Sequence, residues 1–164
     1  MSIKEKIKSL KKQRKSVRNS GGDTHTLDVE INQAETQELD ARKQEKELEK
    51  KALINEARGI IVKTYGTLKR LGIVQTKWDM SELFNRSRSY FLVLESRKSQ
   101  PLSYESLKAL KENLQEIKYH LHLFLEENDE NYKQWVSRKL DETLSEIERL
   151  ELKTLKVMYG VPLV

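Results

Sequence analysis

The residues with the clearest chemical use are the cations of residues 1–18. Lys4, Lys6, Lys8, Lys11, Lys12, Arg14, Lys15 and Arg18 stand against Glu5 alone, a balance of +7 within a net charge of +5 for the 164-residue chain. Such density departs from the alternating signs of an ordinary solvated helix face. It suits the neutralisation of phosphates or of an acidic surface. A second positive region, residues 57–100, holds nine bases against three acids. There Arg86 and Arg88 join Lys63, Lys69, Arg70, Lys77, Arg97 and Lys98, interleaved with Trp78, Phe84 and Tyr90 as in a single-stranded nucleic-acid binder. Aromatics at helical spacing are more often core, and these arginines could equally pair with acidic helices. The candidate nucleic-acid-binding residues are therefore Lys4, Lys8, Lys11, Lys12, Arg14, Lys15, Arg18, Arg86 and Arg88. Residues 28–56 carry −4 and residues 101–164 carry −3, so acidic segments separate the two basic ones. The competing uses of the first stretch are pairing with residues 28–56 or an acidic protein, and contact with an anionic membrane surface. The narrow apolar stripe, without Trp or Phe, disfavours the membrane.

Other chemistry finds little support. There is no cysteine, which removes thiol catalysis and disulfides. His120 and His122 are two apart and so face different sides of a helix, an arrangement that does not easily share a metal; His25 stands alone in a predicted loop. Gly21 and Gly22 are not followed by the Lys-Ser/Thr of a phosphate loop. The acidic stretch 126–131 lacks the alternating ligands, glycine and terminal glutamate of a calcium loop, and reads as a solvated turn capped by Asn128 or Asp129. No carboxylate pair falls on an apolar background. The chain is expected to be non-enzymatic, with no cofactor, no metal and no small-molecule substrate.

The elements that must carry the cations read as helices. In residues 2–18, Ile3, Ile7, Leu10, Arg14 and Val17 recur at steps of four and three, an amphipathic basic helix. Residues 19–23 break it, and Asp23, Thr24 or Thr26 can cap the next helix. Residues 26–71 read as one long helix of roughly 65–70 Å. Its seam runs Leu27, Ile31, Ala34, Glu38, Ala41, Glu45, Leu48 and Ala52, thin enough for a weak or partner-dependent contact. Beyond Ala52 the apolar face broadens and should enter a core. Gly59 and Gly66 are the places where such a rod could bend. A connector at 73–78 precedes a helix of about 80–98, opened by Asp79 or Ser81. Ser103 caps a helix of about 104–127 with a seam of Leu107, Leu110, Leu114, Ile117, Leu121 and Phe124 or Leu125. A last helix of about 130–158 ends at Gly160, before the apolar tail 161–164.

The fold class expected is all-α: a basic N-terminal helical hairpin or arm, then one long helix leading into an antiparallel four-helix bundle. The division expected is an arm over 1–56 and a bundle over 57–164. A charged fraction of 35% beside a hydrophobic fraction of 37% suits narrow, striped cores. The longest apolar run, 90–94, is far too short to span a membrane. No apolar segment follows the basic start, so a secretory signal is not expected; the location expected is intracellular (cytoplasmic) or a virion.

The function expected is an oligomeric structural protein that packages or coats nucleic acid, double-stranded and without sequence choice, through the basic arm. In layout, a basic helical arm joined to a helical bundle, the chain resembles the coat proteins of filamentous archaeal viruses, and that resemblance implies a nucleic-acid-wrapping arm. The rival is a protein–protein scaffold, assembly chaperone or coiled-coil adaptor whose arm docks an acidic partner.

Overall fold

The structure, a computed structural model, describes residues 2–97, 101–124 and 130–162, the side chains of 122–124 excepted. It is all-helical: α1 (Ile3–Asn19), α2 (His25–Arg70), α3 (Lys77–Leu83), α4 (Tyr90–Ser96), α5 (Tyr104–Phe124) and α6 (Glu130–Tyr159), with no strand among the described residues. The chain divides into two units, Met1–Leu48 and Glu49–Val164. α2 contributes to both, and neither Gly59 nor Gly66 interrupts it. Lys98, Leu125, the turn residues 126–129 and the tail residues Leu163 and Val164 lie outside the described residues. So do the side chains of His122 and Phe124.

In the first unit, α1 opens on a capping box. The Glu5 carboxylate accepts the Ser2 N–H at 2.7 Å, and the Ser2 hydroxyl accepts the Glu5 N–H at 3.3 Å. It ends where the N–H of Gly22 reaches the Val17 carbonyl at 3.0 Å, with Gly21 in the left-handed region at φ 74°. Of the three expected caps, Asp23 accepts a backbone N–H at the start of α2, that of His25 at 2.9 Å, whereas the Thr24 hydroxyl meets a side chain, donating to Asp28 at 3.1 Å. Thr26 lies inside the helix. The hairpin is antiparallel and closes on a small core of Ile7, Leu10, Ile31 and Ala34, with Leu27 at its margin. Along the rest of the thin seam, Ala41, Glu45 and Leu48 are exposed, Leu48 to 66%. The 17 residues of α1 extend about 26 Å and bury only the start of that stripe.

In the second unit, the broad apolar face of α2 meets α3, α4, α5 and α6 in one core, which includes Leu68, Met80, Phe84, Phe91, Leu107, Leu110, Leu114, Leu140 and Ile147. The α5 seam buries Leu107, Leu110 and Leu114 fully, while Ile117 and Leu121 are half-buried. The ion pairs fix directions. Lys111 with Glu151 and Lys118 with Asp141 set α5 antiparallel to α6. Lys63 with Glu146, and Glu56 with Lys153, set this part of α2 antiparallel to α6 as well.

The single helix expected over about 80–98 is two seven-residue helices, α3 and α4. The helix begins earlier, inside the expected connector, because Thr76 forms a capping box with Asp79; neither Asp79 nor Ser81 is the cap. Hydrogen bonds from the Thr76 and Gln75 backbone hold the Asp79 carboxyl below its usual range. The break follows Phe84. Asn85 adopts φ 52°, a left-handed conformation that asparagine tolerates. The buried Ser81 hydroxyl then accepts the Phe91 N–H at 3.0 Å, and lies 3.0 Å from the Lys77 carbonyl and 2.9 Å from that of Arg88. A residue of α3 thus caps α4, whose own leading residue Ser89 makes no side-chain cap.

Two predictions arise here. α2 ends on Gly72 at φ 73°, with the Ile73 N–H on the Leu68 carbonyl at 2.9 Å and the Gly72 N–H on the Lys69 carbonyl at 3.1 Å. Gly72→Ala meets no neighbour within contact distance, so its cost is backbone strain alone. A loss of about 1–2 kcal/mol is expected in urea unfolding. The second concerns Lys111, whose ammonium the Glu151 carboxylate holds above the usual lysine range by their hydrogen bond, against some desolvation. The Lys111 value is raised on folding, so its contribution is complete below the unfolded-state value and is lost as pH rises through the folded one. Lys111→Met should flatten the alkaline decline of stability, read from thermal melts at neutral and strongly alkaline pH.

Candidate nucleic-acid interface

α1 places its cations by simple periodicity. The apolar stripe is Ile3, Ile7, Leu10 and Val17. Shifted by one residue, Lys4, Lys8, Lys11, Lys15 and Arg18 recur at steps of four and three, forming a second stripe beside it. It runs about 21 Å along the axis. Lys12 stands further out on the solvent side, and all of these residues are exposed.

Pairing across the hairpin removes two of the sequence-predicted cations from this set. Lys11 lies 2.7 Å from Glu35, and Arg14 Nε lies 2.7 Å from Asp28. Both pairs are well exposed, so each contributes a modest part of hairpin stability. Lys4, Lys8, Lys12, Lys15 and Arg18 have no acidic partner among the described residues.

The two arginines of the second basic region do not share one surface role. Arg86 Nε donates to Ser106 Oγ at 3.2 Å, and its guanidinium lies 5.9 Å from the centre of the Tyr90 ring. The Tyr90 hydroxyl donates to the same Ser106 oxygen at 3.0 Å, and Ser106 is 1% exposed. Arg86 therefore ties the break after α3 to the start of α5. Arg88 is exposed, 3.9 Å from Glu82 and 5.9 Å from the ring centre of Trp78. Trp78 is itself exposed, whereas Phe84 is buried in the core and packs edge-on against the half-buried Tyr90 at 5.4 Å. The aromatic interleaving that suggested single-stranded binding thus separates into core and surface. Of these aromatics, Trp78 stands on the surface with Arg88 over it, and Lys77 beside them is held by Glu95 at 2.5 Å, which raises its pKa.

Among the described residues of the second unit, two hollows have room for a small molecule. One of about 690 Å³ is apolar, with Leu83, Ile117 and Leu121 in its wall and the acids Glu82 and Glu116 among its lining residues, which disfavours a phosphate. The other, about 550 Å³, lies between α2 and α6 and gathers Lys63, Arg70, Lys139 and several hydroxyls. Sequence reasoning missed it because threonines on the edge of a helix face read as boundary residues. The cue available was the coincidence of Thr64, Thr67 and Arg70 at helical spacing. Among the described residues, no group of three His, Cys, Asp or Glu is set to hold a metal, and no helix is long and apolar enough to cross a membrane. No family model matches the chain, and neither a curated protein nor a solved structure matches it.

Proposed function

We propose that this chain is a non-enzymatic structural protein that packages or coats nucleic acid through α1, assembling with further copies of itself in the cytoplasm or a virion. The observation that carries the reading is the row of exposed cations Lys4, Lys8, Lys15 and Arg18, with Lys12 beside them, none with an acidic partner among the described residues. A row of that kind neutralises phosphates in sequence and reads no bases, so double-stranded polymers of any sequence are its natural ligand. The test is a salt titration of binding to labelled duplex DNA and duplex RNA. Five phosphate contacts give a slope of log affinity against log salt of about −4.5. A slope near zero, or no binding at low salt, rejects the reading.

One feature favours a second reading, a helical scaffold or adaptor. The middle of the α2 seam, with Ala41 and Leu48, is exposed, and Leu39 nearby is exposed to 53%. A scaffold would self-associate through that stripe at high salt and without a polymer. Leu48→Glu would then abolish association, while leaving any polymer binding by α1 unchanged.

A further inference from the structure

We infer that the cleft between α2 and α6 is a binding site for a nucleoside phosphate, separate from the cation row of α1. The cleft measures about 550 Å³, within the range of small-molecule sites. Its clearest mark is Thr64. This residue is 2% exposed, and its hydroxyl has no hydrogen-bond partner among the described residues. A buried helical threonine ordinarily turns its hydroxyl to the carbonyl four residues earlier. Thr143, across the same cleft, does so, donating to Lys139 at 2.8 Å. Thr64 lines the cleft while its hydroxyl is enclosed and unmet, a cost in free energy that ends when the side chain turns that hydroxyl to a ligand.

Charge selects the ligand. Lys63 and Lys139 are each held by a carboxylate, Glu146 at 2.5 Å and Glu142 at 2.6 Å. Arg70 has no carboxylate among the described residues; its contact is the Thr67 hydroxyl at 3.4 Å. The lining therefore carries one surplus positive charge, on a planar guanidinium able to hold two oxygens at once. A phosphate meets Arg70 together with the hydroxyls of Thr64 and Thr67. The second part of the ligand is read from α6. Trp135 stands one turn before Lys139 on the same helix face. It is 41% exposed, and its ring centre is 5.8 Å from that of Tyr132, the two rings inclined at 31°. The exposed Trp135, one turn outside the lining of the cleft and with Tyr132 against it, is a platform for a base.

The experiment uses the full chain carrying Lys4, Lys8, Lys12, Lys15 and Arg18→Gln, so that the outcome does not depend on α1. Trp78→Phe leaves Trp135 as the one tryptophan. AMP, adenosine and inorganic phosphate are titrated while Trp135 fluorescence is followed, with calorimetry for phosphate. Saturable quenching by AMP is expected, roughly tenfold tighter than adenosine or phosphate alone. Arg70→Gln and Thr64→Val should each weaken AMP by roughly tenfold or more. Thr64→Val keeps the side-chain shape and removes the unmet hydroxyl, so its melting temperature should not fall. A short single-stranded oligonucleotide separates the sources: tighter binding than AMP assigns the cleft to a polymer, and equal binding assigns it to a free nucleotide. Absence of saturable AMP binding, or binding unchanged by both Arg70→Gln and Thr64→Val, overturns the inference and leaves the reading of α1 untouched.

Discussion

Replacing Lys4, Lys8, Lys12, Lys15 and Arg18 together by Gln is expected to remove nearly all salt-dependent affinity for duplex DNA. With five phosphates neutralised, the parent chain should lose roughly several hundred-fold in affinity between about 50 and 200 mM salt. The substituted chain should bind weakly throughout and show a slope close to zero. These side chains are exposed and pair with no acid among the described residues, so α1 should keep its helicity. The companion variant, Lys11→Gln with Arg14→Gln, is the informative control. It breaks the contacts to Glu35 and Asp28, and should lower hairpin stability while leaving most of the salt slope in place. Should the five-fold variant retain the parent slope, the row on α1 is not the phosphate clamp. An acidic protein partner would then be the better use for its charge.

Phe91→Ala should be the most damaging single change to the second unit. Phe91 is fully buried, and its ring centre lies 5.0 Å from that of Tyr65. Removing it costs the transfer of the ring and leaves a cavity, together about 3–5 kcal/mol. Against a typical total of about 5–15 kcal/mol, that takes much of the margin. Ser81→Ala is milder and more telling. It leaves the Phe91 N–H without its acceptor, at about 1–3 kcal/mol. Urea unfolding followed by far-UV circular dichroism measures both. A Ser81→Ala cost near zero would mean that the break between α3 and α4 does not depend on that hydroxyl.

Much of the architecture is legible from periodicity. α1, α2, α5 and α6 each bury one stripe, and a stripe is visible in a list of residues. The segment after residue 76 is different. Tyr90, Leu92 and Val93 make it apolar on several sides, so periodicity cannot say where it stops. The polar run from Asn85 to Ser89 was the available signal. Its force comes from Ser81 reaching Phe91 and from Arg86 reaching Ser106, contacts that need three dimensions. The site divides likewise. The density of cations on α1 is plain in the sequence. Which of them are spent on Glu35 and Asp28 depends on hairpin register, and the unpartnered hydroxyl of Thr64 depends on the packing of α2 against α6.

The pairing of α2 with α6 also sets a schedule for biosynthesis. Lys63 meets Glu146 across 83 residues, and Glu56 meets Lys153 across 97. The α1–α2 hairpin involves near neighbours in the chain and can close soon after its residues leave the ribosome. At about 5–20 residues per second, the apolar face of α2 from Leu53 to Leu71 then waits roughly 5–20 s for α6 to emerge. During that interval a nascent chain carries a finished, charged hairpin joined to a bare hydrophobic stripe. It is therefore α6, made after α1 to α5, that ends the period in which neighbouring nascent chains can stick to one another.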